Sequence, residues 1–362
     1  MLLLISESVQ TKQLLLMMIM AGSRASSLVV AVVLVVVIGA GAASAERYPP
    51  LAPGLSFDFY KKSCPKAESI VKDFLSSAVK QNPGLIPALI RIHFHDCFVQ
   101  GCDGSVLLDN SSISGTSEKT YIPNQTLRPA AFKAINDIRN ALEKACGRVV
   151  SCADIAALTA RDSVQLVPLG RRDGLSPASE TAVLTGLPAP TSNVTELMDA
   201  LSKIKLDITD LVALSGGHTV GIAHCNSFDN RLFPARDPTM DQWFFTQLKK
   251  ICPVKDTDKT TVNDIRTPHV FDNKYYVDLL NRQGLFTSDQ LLNVDARTKN
   301  IVHKFAVDQN AFFEQFVYSY VKMGQIQVLT GSQGQIRANC AARNPPRLPW
   351  SVVDTVVDTL LL

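Results

Sequence analysis

The sequence predicts a mainly α-helical protein. Three observations carry that expectation. Several segments repeat apolar residues at the helical period, no sustained apolar/polar alternation marks a strand, and Pro and Gly punctuate the connections. Residues 65–81 place Ile70, Val71, Phe74, Leu75 and Val79 on one helical face. A second helix starts at about Leu85, with Pro87 in its first turn, where a missing N–H costs little. Residues 130–145 form a third helix and 153–164 a strongly apolar fourth. The stretch 165–195 is rich in Pro and Gly and reads as irregular. Helix resumes at 195–206 and at 209–215, with Thr209 and Asp210 as cap and first turn. Residues 240–250, 272–282, 295–309 and 311–323 complete the set, and no internal repeat appears.

The 362 residues suffice for two core-forming halves, and 46% apolar with 19% charged is a globular balance. A net charge of +3 and the lack of a basic run argue against a nucleic-acid partner. At the N-terminus, Lys12 and Arg24 precede an apolar run over 28–42, which ends at Ala43-Ser44-Ala45. A charged region, an apolar core and a small-x-small site spell a secretory signal peptide over 1–45, cut after Ala45. A signal anchor is the alternative, because the run approaches spanning length, and a true start at Met20 stays open. The eight cysteines are Cys64, Cys97, Cys102, Cys146, Cys152, Cys225, Cys252 and Cys340. An even number in a secreted chain implies disulfides whose connectivity the sequence leaves open. Cys97 and Cys102 are close enough to staple the turn after the second helix. Asn110-Ser-Ser, Asn124-Gln-Thr and Asn193-Val-Thr fit the glycosylation acceptor pattern.

The chemistry concentrates in Arg91-Ile92-His93-Phe94-His95-Asp96-Cys97. On a helix, Arg91 and His95 lie one turn apart on one face. A permanent cation beside a group titrating near about 6.5 suits cleavage of a polar bond. Phe94 would dry the pocket. Two other readings stand beside this one: a core helix with satisfied polar groups, and a zinc site through His93 and His95, although i and i+2 point to different faces. Further on, Leu214-Ser215-Gly216-Gly217-His218-Thr219 sets a His after two glycines that let something flat approach the backbone. Ser288-Asp289-Gln290 supplies a carboxylate able to fix the tautomer of a ligating His.

With these residues in view, the chain resembles the secretory plant (class III) haem peroxidases from about Ser56 to Arg343. The motifs are Phe59-Tyr60-x-x-Ser63-Cys64-Pro65, Arg91 through Asp103, Val150-Ser151-Cys152-Ala153-Asp154, Gly170-Arg171-Arg172-Asp173, Leu214 through Thr219, Phe271-Asp272-Asn273-x-Tyr275-Tyr276 and Gly331-x-Gln333-Gly334-x-Ile336-Arg337-x-Asn339-Cys340, in that order. The resemblance implies a haem peroxidase fold over 46–343, with a distal half (about 46–190) and a proximal half (about 191–343) sandwiching one haem b. It implies His218 as axial ligand, Asp289 as its partner, and Phe94 at the haem. His95 becomes the acid–base group, Arg91 the stabiliser of charge, and Asn124, six residues after Glu118, the partner that keeps His95 neutral. A buried Asn124 would not be glycosylated.

The resemblance also implies two Ca²⁺ ions. Asp96, Val99, Gly101, Asp103 and Ser105, with Glu118 nearby, form the distal set; Thr219, Asp264, Thr267, Val270 and Asp272 form the proximal set. It pairs Cys64–Cys146, Cys97–Cys102, Cys152–Cys340 and Cys225–Cys252, and makes Asp154 and Arg171 a buried ion pair. Pro188 matches the rim where small aromatic donors dock. The implied activity is reduction of hydrogen peroxide with oxidation of small phenols, by a secreted monomer with no stable membrane anchor. The apolar tail 344–362 resembles extensions that send relatives to the vacuole.

The chain departs from the family in places. A short Gly-rich stretch is missing between Leu166 and Val167, which raises a second reading: a peroxidase-fold binding or wall protein with impaired haem incorporation. Asn263 stands where an apolar residue normally packs near the proximal His. Gly84 and Ser227 stand where some relatives carry Arg and Phe at the haem edge and donor site.

Overall fold

The helices follow from the apolar periodicity, and their ends follow from side-chain caps. In the computed structural model, residues 48–111, 115–160 and 167–346 are described. Helix α1 (Ala67–Gln81) buries Ala67, Val71 and Leu75, the stripe expected of an amphipathic helix. Helix α2 (Leu85–Val99) carries the Arg91–Cys97 stretch and buries residues around its whole circumference, His93, His95 and Asp96 among them. A helix apolar on all sides belongs inside the core. It packs against α1, α3 (Pro129–Cys146), α4 (Cys152–Thr159) and α5 (Glu180–Gly186).

Helices α6 (Val194–Lys203) and α7 (Ile208–Ser215) both open with reciprocal caps. Asn193 accepts from Glu196 N while Glu196 reaches back to Asn193 N. The cap of α7 is Asp207 rather than the expected Thr209: its carboxylate accepts from the amides of Thr209 and Asp210. A carboxylate two residues upstream meets two bare N–H groups, which one hydroxyl cannot do. Two three-residue strands, β1 (Ile222–His224) and β2 (Thr260–Val262), pair antiparallel, Ile222 facing Val262. Helix α8 (Gln242–Ile251) packs by β2. The chain continues through α9 (Lys274–Leu280), α10 (Thr287–Val294), α11 (Lys299–Val307) and α12 (Gln309–Met323).

Two of these helices depart from expectation. Helix α5 interrupts the stretch that reads as irregular; it buries a single apolar residue, Val183, and so shows no period. Helix α10 buries Asp289 and Gln290 beside Leu292, and polar residues on the inward face hide its stripe. The apolar helix read over 153–164 is observed as α4, with 161–166 outside the described residues.

One apolar cluster runs from Tyr60 to Cys340 and includes the rings of Tyr276, Phe305, Phe312 and Phe316. A smaller one gathers Ala223, Phe228, Leu232, Phe244 and Leu248 with Leu285 and Phe286. The four disulfides are Cys64–Cys146, Cys97–Cys102, Cys152–Cys340 and Cys225–Cys252, the pairing the resemblance implies. Asp154 and Arg171 form the expected buried ion pair at 2.9 Å. Tyr60 OH and Gly170 N also donate to Asp154, and Arg171 Nη1 donates to Pro168 O, so the chain from Val167 onward is tied down at once. The expected signal peptide, the expected gap before Val167 and the segment beyond 346 lie outside the described residues. Among the described residues no helix is long and apolar enough to cross a membrane.

Candidate active site

Helix α2 presents Arg91 and His95 on one face, and Arg91 Nε donates to His95 Nε2 at 3.2 Å. His95 Nδ1 lies 2.6 Å from Asn124 Oδ1. The Asn124 amide is oriented by its own nitrogen, which donates to Glu118 O at 3.0 Å. The oxygen of Asn124 therefore faces the ring, the proton of His95 resides on Nδ1, and the Nε2 lone pair is the one that accepts from Arg91. Burial and the Arg91 charge push His95 down to about 3, while the Asn124 hydrogen bond acts in the opposite sense. Burial and Arg91 favour the neutral ring, and Asn124 orients it with the proton on Nδ1. Arg91 is aimed by Pro123 O and by the carbonyl and hydroxyl of Thr126. Burial lowers Arg91 to about 10, which leaves it charged at neutral pH. Phe94 packs edge-on against the His95 ring at 5.1 Å.

His93 faces elsewhere. Its ring lies 5.5 Å from that of Tyr320, and burial with the nearby Arg171 charge lowers it to about 3. The sulfurs nearest it, Cys97 and Cys102, are joined to each other. Thiols in a disulfide cannot ligate zinc, and His93 and His95 have different neighbours, so among the described residues the zinc reading has no donor set.

His218 lies in the short turn Gly216–Thr219 that ends α7. Its Nδ1 donates to Asp289 Oδ1 at 2.8 Å. Asp289 also accepts from Tyr275 OH at 2.9 Å and from Phe286 N at 2.9 Å, so three donors fix it. Phe286 packs against the His218 ring at 5.2 Å. The side chain of His218 remains 41% exposed, and no hydrogen bond to its Nε2 exists among the described residues. In front of Gly217 an added Cβ would meet nothing within 4 Å. An imidazole locked on one nitrogen, bare on the other and open toward space has the chemistry that would hold the iron of a haem through Nε2.

The segment 187–190 is held at both ends. Gly186 packs so closely on Phe98 and Val99 that a Cβ would lie 2.8 Å from Phe98 O. Pro190 O accepts from Ser288 N at the start of α10, at 3.0 Å. Pro188, half-buried, sits on this bridge between the His95 helix and the Asp289 helix.

Below α2, Asp96, Asp103, Ser105 and Glu118 come together and are buried. Among the described residues, Asp96 Oδ1 and Glu118 Oε2 have no hydrogen-bond donor. Burial first, and then the neighbouring Asp103 charge, raise Asp96 well above the carboxylate range; burial raises Asp103 and Glu118. Orphaned buried carboxylate oxygens with backbone carbonyls nearby are the donor chemistry of Ca²⁺. Gly101 and Gly104 hold this turn with φ of +109° and +67°. On the other side, Thr219 Oγ1 lies 3.0 Å from Asp264 Oδ2 and 3.3 Å from Asp272 Oδ1, and Thr267 Oγ1 lies 3.0 Å from Asp272 Oδ1. Val270 N closes this turn onto Thr267 O. Two carboxylates among hydroxyls fit a second hard cation.

The sequence gives no role to the supporting groups Pro123, Thr126 and Tyr275: Tyr275 stands in its motif without one, and Thr126 enters only as the third residue of the Asn124-Gln-Thr acceptor pattern.

Beside the Arg91–His95 pair, the carboxylate-backed His218 and the two clusters of oxygen donors stands the comparison with known proteins: the chain belongs to the peroxidase family, whose model, described as Peroxidase, matches residues 71–308. It is an oxidoreductase of the plant class III type. Among curated proteins it is 62% identical over 317 residues to cationic peroxidase SPC4 of Sorghum bicolor, covering 84% of this chain and 87% of the relative. Peroxidase 12 of Arabidopsis thaliana is 56% identical over 310 residues, covering 84% of this chain and 86% of the relative.

Proposed function

We propose that this chain is a secreted haem peroxidase that reduces hydrogen peroxide to water while oxidising small phenols in one-electron steps. The observation that carries the reading is the contrast between two imidazoles. His95 is backed by a neutral amide and pushed toward its uncharged form, whereas His218 is backed by a triply fixed carboxylate. The first is built to move a proton, the second to donate strongly to a metal.

His95 Nε2 takes a proton from hydrogen peroxide and returns it to the departing oxygen, which leaves as water. Arg91, already aimed by Pro123 and Thr126, stabilises negative charge as the O–O bond parts, with no reorganisation at that moment. Haem bound through His218 Nε2 would hold the oxidising equivalents and accept one electron from each of two donor molecules. Phenols dock at the rim beside Pro188. We assign one haem b and two Ca²⁺ to each chain, the latter at the two cradles described above. The same reading makes 1–45 a signal peptide, about 46–190 and 191–343 the distal and proximal halves, and the mature protein an extracellular monomer, with 344–362 a vacuolar sorting segment where it is retained. No observation favours the haem-deficient reading; both imidazole networks and all four disulfides are complete.

The test is a spectrum of purified protein, refolded with haemin and calcium, before and after one equivalent of peroxide. A Soret band that shifts with peroxide and recovers as guaiacol is oxidised supports the reading. A stable Soret band with no peroxide-dependent oxidation of guaiacol contradicts it.

A further inference from the structure

Residues 123–128 run antiparallel along the active face of α2 and touch it through Pro123, Asn124, Thr126 and Arg128. Asn124 meets His95, Thr126 meets Arg91, and Arg128 Nη1 meets Gly84 O at 3.3 Å. Gly84 caps α2 with helical dihedrals, φ −72° and ψ 0°. At about 100° and about 1.5 Å per residue, position 84 therefore points between Arg91 and His95, about 10 Å from Arg91 along the axis. It has no side chain of its own, and a Cβ added there would overlap Arg128 Nη1. A guanidinium from another segment thus fills the room a side chain at 84 would use.

That guanidinium is not consumed. Arg91 spends its nitrogens on Pro123, Thr126 and His95. Arg128 is exposed, makes one long bond to a carbonyl, and has no acid within ion-pair distance among the described residues. A permanently charged planar fork with spare donors, fixed on the active face, matches a carboxylate. We propose that Arg128 binds a carboxylate of an aromatic ligand seated beside this face of α2, supplying from position 128 the charge that position 84 lacks. The inference rests on the haem reading above. Haem b carries two propionates, and a carboxylated phenol is the other source of the same group.

The experiment uses the full chain refolded with calcium, as wild type, Arg128→Ala and the double variant Gly84→Arg/Arg128→Ala. Dissociation constants are measured by Soret titration for haemin and for haemin dimethyl ester. They are measured by difference spectra of the loaded protein for 4-hydroxycinnamate and its methyl ester. Arg128→Ala is expected to weaken one carboxylate about tenfold and its ester not at all, and Gly84→Arg to restore the loss in the space Arg128 vacates. Loss in the haemin arm assigns a propionate; loss in the cinnamate arm assigns the donor. Unchanged preference for acid over ester in both arms, with an unchanged circular dichroism spectrum, overturns the inference while the haem reading stands. A wild type that takes up no haemin overturns both.

Discussion

Asn124→Val isolates the hydrogen bond that orients the proposed base. Valine is close in shape to asparagine but offers His95 Nδ1–H no acceptor. That N–H sits in a buried site, where an unmet donor costs about 1–3 kcal/mol. The ring escapes the cost by moving its proton to Nε2 or by turning away, and either escape removes the lone pair that takes the peroxide proton. At about 1.4 kcal/mol per factor of ten, the second-order rate with peroxide should fall about 5- to 150-fold. Stopped-flow absorbance at fixed haem content measures it. The pH profile adds a sign. Burial and Arg91 lower His95, and the Asn124 bond alone raises it, so its loss should move the acid limb to lower pH while the plateau falls. An unchanged plateau, or an acid limb moved upward, would refute the reasoning.

Arg171→Met should destabilise the protein by about 3–5 kcal/mol in urea unfolding, because Asp154 stays buried without its partner; Arg171→Met/Asp154→Leu should recover much of the loss. Calcium chelation should lower Tm, more at pH 7 than at pH 5. Folding raises Asp96, Asp103 and Glu118, so these carboxyls destabilise the metal-free protein as pH climbs above the ordinary carboxylate range, and bound Ca²⁺ removes that cost. Calorimetry with and without EGTA at the two pH values checks this; an equal shift at both would contradict it.

Legibility in the sequence varied with physical cause. Helices α1, α2 and α3 were plain because one face is uniformly apolar or the whole circumference is. Helix α10 was hidden because Asp289 and Gln290 point inward, where function and hydrogen bonding override the stripe. Arg91, His95, His218 and Asp289 were found by motif, and the structure brings them together in two pairs. What no motif gave was direction. That Asn124 raises rather than lowers the basicity of His95 depends on which amide atom faces the ring, and Glu118 O, a tertiary contact, decides it. The crossing of Arg128 over Gly84 is likewise a tertiary fact between residues forty-four apart in sequence.

His95→Leu measured beside His218→Ala tests the division of labour between the imidazoles most directly. Haem content by pyridine haemochrome and the peroxide rate by stopped flow are read on both. Loss of a general base should slow His95→Leu by about 10²–10⁴-fold with haem retained, and His218→Ala should lose haem. A His95→Leu protein that reacts at the wild-type rate, or a His218→Ala protein that binds haemin as tightly as wild type, would contradict the account.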